Sequence, residues 1–191
     1  IEQDVLSDYE WEVMLRTIQG FEESTSLDWG NRWGNSENRD LVMFRNLKWL
    51  IEEVYPDKKF VIWAHNAHIE KTGVIGSPMT WMGHLLADHF EEDYYSIGLF
   101  ALKGEAYIHW TGDTLSFENS HPDFIEARLA ASSRETSFLD ISSLEPQSEN
   151  KWLWESVAGR EFENGDSIRF VPAERFDAII NVFESDVPTF D

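Results

Sequence analysis

Lys58-Lys59-Phe60-Val61-Ile62-Trp63-Ala64-His65-Asn66-Ala67-His68 is the stretch on which the fold turns. Its five apolar residues, bounded by lysines and by His-Asn, form too short a run for a helix and fit a strand buried on both faces. The flanking segments have helical period. Upstream, Met43, Leu47, Leu50, Ile51 and Val54 make the buried face of a helix that opens near Ser36 and stops at Pro56. Ser36 is a suitable N-cap, with Glu37 in the first turn. Downstream, Ser77-Pro78 forms an N-cap and N1 pair for a helix through about Phe90, and residues 94–102 read as the next strand. Helix, strand, helix, strand predicts an α/β fold, with a mostly parallel or mixed β-sheet flanked by helices.

Toward the N-terminus, Trp11, Met14, Leu15 and Ile18 fall at i, i+3, i+4, i+7, an apolar stripe expected to be buried. Residues 25–35, with Trp29, Gly30, Trp33 and Gly34, break that period and read as a loop. Toward the C-terminus, residues 105–110 and 114–117 flank Thr111-Gly112-Asp113, a small hairpin. Pro122 at N1 predicts a helix ending near Ser132, and 137–141 and 176–183 are expected strands. Residues 142–166 are polar and give no assignment.

The composition narrows the function. Of 191 residues, 36 are acidic and 15 basic, for a net charge of −21. That argues against nucleic-acid or anionic-membrane partners, whose phosphates call for clustered Lys and Arg. The 42% apolar content, with 13 Phe and 9 Trp, is that of a folded chain rather than a disordered one. The absence of cysteine removes disulfides, thiolate metal sites and a Cys nucleophile. No apolar run approaches the roughly 20 residues that span a bilayer. The chain opens at Ile1 without a methionine, which raises the expectation of a longer protein and leaves the compartment open.

His65 and His68 follow directly on the expected strand. Ligands of open α/β sheets bind beyond the carboxyl ends of strands, and imidazoles delivered there suit proton transfer. Metal binding is the weaker use: the pair is spaced i, i+3 and on a loop, and no carboxylate is singled out to complete a divalent-metal site. Neither a G-x-S-x-G elbow nor a glycine-rich phosphate loop is present. Arg39, Met43, Asn46 and Leu50 share one side of the second helix, so Arg39 and Asn46 either brace the crevice or pin two helices together. Trp11, Trp49 and Trp63 are expected in the core. Trp29, Trp33, Trp152 and Trp154 leave open a non-catalytic module that stacks a carbohydrate.

Arg39-Asp40-x-x-Met43-x-x-Asn46-x-x-Trp49, then Val61-Ile62-Trp63-Ala64-His65-Asn66-Ala67-His68, then Met82-Gly83-x-x-Leu86 and Tyr95-x-Ile97-Gly98, resemble the erythromycin esterase family. The resemblance spans residues 39–98 in order and spacing; beyond them only the general layout is similar. It implies an α/β hydrolase without a serine nucleophile, in which activated water attacks a small-molecule ester or a macrolide lactone, with no cofactor. Family sites join two halves. The N-terminal half brings a Gly-Glu-x-x-His motif whose His is the general base, with an Arg and a further Glu, and the C-terminal half brings the pair that stands here as His65 and His68. Asn66 would orient the loop, with Arg39 and Asn46 behind it. Gly104-Glu105 is followed by His109 one place too late to be that motif. Residues 1–191 are therefore expected to form one α/β domain or C-terminal lobe, whose partner is a missing N-terminal half and which is inactive alone.

Overall fold

The computed structural model describes residues 7–25, 32–72, 80–108, 111–132, 134–160 and 167–187. Two long helices lead, α1 (Asp8–Thr25) and α2 (Arg32–Trp49). Helix α2 begins upstream of Ser36, so that residue lies inside the helix rather than capping it. It continues into a π-helical turn, Leu50–Val54, and stops at Tyr55, before the Pro56 ring that cannot extend it. A single turn α3 (Asn66–Ile69) and helix α4 (Met82–Phe90) follow. Ser77-Pro78, the expected cap of α4, lies outside the described residues.

Strands β1 (Ile97–Ile108), β2 (Asp113–Glu118), β3 (Thr136–Asp140) and β6 (Ala178–Ser185) make a four-stranded sheet in the order β2-β1-β6-β3. The β1–β6 pair is parallel and the other two pairs are antiparallel, so the sheet is mixed. The β1–β2 hairpin turns at Gly112, whose φ of 76° lies in the left-handed region that glycine enters without strain. Between β3 and β6 lie β4 (Val157–Arg160) and β5 (Ser167–Phe170), a separate antiparallel pair, and the turn α6 (Pro172–Arg175). Strand β4 and a 3-10 turn, Lys151–Trp154, supply structure within the segment that gave no sequence assignment.

The core sits on one side of the sheet. Phe100 and Ile179 point from β1 and β6 into a cluster with Ile125 and Leu129 of α5 (Ile125–Ala130) and with Leu153, Val157, Phe170 and Phe176. Each such side chain contributes about 1.5–3 kcal/mol by leaving water. Helix α5 is shorter than expected, because Pro122 occupies the turn before it. Trp152 and Trp154 pack against this core and so form no exposed platform; the side chains of Trp29 and Trp33 lie outside the described residues.

Two expectations of burial are corrected. Residues 60–64 form no strand and join no ladder, and Val61 and Trp63 are 94% and 88% exposed. Phe60, Ile62 and Ala64 face inward, so the run is covered on one side only. Similarly, α1 packs on α2 without covering Trp11, Leu15 and Ile18, each of which remains about half exposed. Trp49 is buried as expected.

Candidate active site

The His65-to-His68 segment is one helical turn fastened at both ends. His65 is its N-cap, with extended backbone (φ −61°, ψ 148°), and its Nδ1 accepts the Ala67 N–H at 3.3 Å. Behind it the buried Asn66 amide meets the edge of β1. Its Nδ2 donates to the Leu99 carbonyl at 2.8 Å, and its Oδ1 accepts the Leu99 N–H at 2.9 Å. A neighbouring strand makes the same two bonds, so the side chain substitutes for backbone. At the far end Glu70 is fully buried against Arg175, and the Lys71 N–H donates to the Arg175 carbonyl at 3.0 Å. Burial draws Arg175 down to about 10, which leaves it cationic at neutral pH. The Ile69 carbonyl accepts from both Tyr94 and Ser96 hydroxyls at 2.6 Å. Burial also pushes Tyr94 up to about 12, so it stays a neutral donor.

Helix α4 lies directly on this turn. A Cβ at Gly83 would stand 2.4 Å from the Ile69 carbonyl carbon and 2.5 Å from the Glu70 carbonyl oxygen, so only glycine allows the approach. The approach places the Met82 N–H at the start of α4, 2.9 Å from Oδ1 of Asp40. The same Oδ1 lies 2.7 Å from Nδ1 of His68. On the other side of the ring, Nη2 of Arg39 lies 2.8 Å from Nε2. Arginine has only donors, so Nε2 presents its lone pair and the His68 proton sits on Nδ1, facing Asp40. Trp81 packs edge-on against the imidazole, with centroids 5.3 Å apart.

Asp40 is buried with 0% exposure, and its Oδ2 takes no hydrogen bond among the described residues. Sequence reasoning quoted Asp40 within the Arg39-Asp40 pair but gave it no role. The usable signal was its place beside Arg39, one residue round the helix, on a helix otherwise facing the turn.

The structure places His65, Asn66 and His68 on one turn and brings Arg39 against His68. His68 and Arg39 are in contact, and Asn66 holds the turn from behind. His65 is exposed, and its Nδ1 accepts the Ala67 N–H, which places the proton of a neutral ring on Nε2. Asn46 faces elsewhere. Its amide nitrogen lies 3.8 Å from where a Cβ of Gly20 would be, at the α1–α2 contact. Among the described residues no group of three His, Asp or Glu gathers as metal ligands, and both ring nitrogens of His68 are already engaged.

Fold and site together define a helix-flanked mixed-sheet α/β protein whose polar centre is a carboxylate–imidazole–guanidinium chain. The erythromycin esterase family model matches residues 2–185, and the chain belongs to that family. It is 26% identical over 126 residues, 61% of its length, to a Bacillus subtilis (strain 168) protein with the name "Putative hydrolase YbfO", of which it covers 28%. The fold is similar to a crystal structure of a Bacillus cereus protein, with a TM-score of 0.76 and 20% identity over 94% of this chain and 46% of that one. It is also similar to a protein described as a succinoglycan biosynthesis protein, at 0.71 and 18% over 92% and 44%. A mutant of erythromycin esterase EreC in its open conformation aligns at 0.56 and 23% over 88% and 41%. The chain thus spans less than half the length of each of these relatives.

Proposed function

We propose that the chain carries the histidine half of a carboxylic-ester hydrolase active site. Water attacks the carbonyl carbon of a small-molecule ester or lactone, a macrolide lactone being the family's example. The general base that takes the water proton comes from outside residues 1–191, in the Gly-Glu-x-x-His motif that the family resemblance assigns. The carbonyl oxygen gains negative charge and is held by the His65 imidazole and the Arg39 guanidinium. Collapse breaks the acyl C–O bond, and the alcohol leaves with the proton. His68 is a positioning residue, fixed by Asp40 and in turn orienting Arg39. Asn66 sets the height of the turn, and no metal or cofactor enters the reaction. The observation that carries this reading is the Asp40–His68–Arg39 chain beside the exposed His65.

The test compares residues 1–191 with a chain extended ahead of Ile1 to include the motif. The short chain is expected to leave simple esters and macrolide lactones intact, and the extended one to hydrolyse an ester or lactone. In the extended chain, His65→Ala lowers kcat by on the order of 10²–10⁴. Robust turnover by the short chain, abolished by His65→Ala, would refute the half-site reading.

A further inference from the structure

A recess of about 170 Å³ opens where β3 ends and β6 begins, apart from the histidine turn. Ser142 and Leu144, which follow β3, line it together with Trp154 of the 3-10 turn and with Phe176 and Asp177, which lead into β6. Its wall is held by bonds within the chain. The Asp177 carbonyl accepts the Ile141 and Ser142 N–H groups at 2.8 and 2.9 Å, and the Leu144 N–H donates to the Ile141 carbonyl at 3.0 Å. The Asp177 carboxylate is fixed at both oxygens: Oδ1 by the Lys71 ammonium at 2.6 Å and Oδ2 by the Ser96 N–H at 2.7 Å. Ser142 Oγ donates to Oδ1 of Asp140 at 2.7 Å. Trp154 is half-buried and packs against the core. A wall already in place spares a ligand the cost of ordering it.

These bonds decide what the recess can hold. The Asp177 oxygens keep lone pairs, and Ser142, with its proton given to Asp140, also presents lone pairs. A ligand must therefore bring donors. An anion brings none, and the net charge of −21 repels it. An ammonium brings donors, but the Lys71 ammonium already neutralises Asp177, and a second cation beside it is opposed. Hydroxyl groups meet the acceptors without either cost. The Trp154 ring adds an apolar surface for the C–H groups of such a ligand. Pockets for drug-sized ligands measure roughly 300–1,000 Å³, so this smaller recess takes a single ring and not a macrocycle.

We propose that the recess is a binding site for one neutral polyol ring, a monosaccharide unit, whose hydroxyls donate to Asp177 and Ser142 and whose C–H face packs on Trp154. The proposal stands apart from the hydrolase reading, since none of these residues belongs to the Asp40–His68–Arg39 chain.

The experiment titrates residues 1–191 with glucose, galactose, mannose, rhamnose and N-acetylglucosamine and follows amide and indole NMR signals. At least one sugar is expected to shift the Ser142 and Leu144 amides and the Trp154 indole saturably, with a Kd on the order of 1–10 mM, while the His65 and His68 rings stay unmoved. Asp177→Asn and Ser142→Leu are each expected to weaken binding by on the order of tenfold, as loss of a hydrogen bond to a charged group or of space in the recess does. Ser142 is exposed, so Ser142→Leu should melt like the parent and keeps the test decisive should Asp177→Asn unfold. Calcium chloride and propylammonium chloride are titrated alongside. No saturable shift from any of the sugars, a sugar response centred on His65 and His68, binding indifferent to both substitutions, or a response to calcium or propylammonium in place of sugar overturns the inference.

Discussion

Replacing Asn66 by Asp tests whether its amide holds the histidine turn to the sheet. Both amide atoms are used: Nδ2 donates to the Leu99 carbonyl at 2.8 Å and Oδ1 accepts the Leu99 N–H at 2.9 Å. In Asn66→Asp the accepting oxygen keeps its bond, while the former donor becomes a second oxygen facing a carbonyl. One bond of about 1 kcal/mol is lost, and a carboxylate at a site only 8% exposed is held against an acceptor. With a desolvation penalty of about 2 kcal/mol or more, the total is about 3 kcal/mol at neutral pH. Asn66→Ala removes both bonds without adding charge, and water can reach the exposed Leu99, so its cost is smaller, about 1–2 kcal/mol. The sign with pH is distinctive. Protonating the new carboxyl restores a donor, so its folded pKa is raised, and the stability it allows is present in acid and lost as pH rises. Urea unfolding at pH 4.5 and 8 should therefore rank Asn66→Asp below Asn66→Ala at pH 8 and close the gap in acid. If Asn66→Asp equals or exceeds Asn66→Ala at pH 8, the bracket does not work as described.

Two further outcomes follow from buried groups. Burial raises Glu126 to about 7, despite the Arg160 N–H it accepts at 2.8 Å. A carboxyl raised in the folded state contributes stability that is fully present below its unfolded pKa of about 4.5 and lost as pH rises through 7; the difference is up to about 3 kcal/mol. Glu126→Gln should flatten that loss between pH 5 and 8 in urea titrations, and parallel curves for parent and variant would count against it. Gly83→Ala should destabilise by about 3 kcal/mol, because its Cβ would stand 2.4 Å and 2.5 Å from backbone atoms that cannot rotate away. An unchanged melting temperature would show that α4 is not seated on α3.

The α/β class was legible because its signals are local, while the His-Asn-Ala-His stretch, read as a loop, is a helical turn. A short apolar run followed by His-Asn-Ala-His is contiguous, and periodicity located α2, β3 and β6 within a few residues. Burial was less legible, since it belongs to the neighbours. Phe60 to Ala64 has the composition of a strand buried on both faces, but Val61 and Trp63 have nothing packed on them. The stripe Trp11, Leu15, Ile18 is a true helical face on a helix whose packing leaves that face open. Asp40, though part of the Arg39-Asp40 pair, receives no role from the sequence because one carboxylate in 36 carries no local mark, and its partner His68 is 28 residues away. Glu70 and Arg175 are farther apart still, and neither type predicts full burial until the other is seen beside it. Asn46 was placed by shared helical face with Arg39, but seven residues is two turns of drift along the axis, enough to reach α1 instead.

The fastening of Glu70 to Arg175 has a consequence for how the protein breathes. Arg175 precedes β6, the strand that joins β1 to β3 at the centre of the main sheet, and the Lys71 N–H is bonded to its carbonyl. The histidine turn therefore has no low-energy opening of its own: releasing it strips a buried charge from its counter-charge and exposes the root of the central strand. Its amides are therefore expected to exchange together with those of β6, and native-state hydrogen exchange that releases them earlier would count against this coupling. A turn of four residues near the surface is thereby anchored to the core behind it, which fixes the positions of both imidazoles.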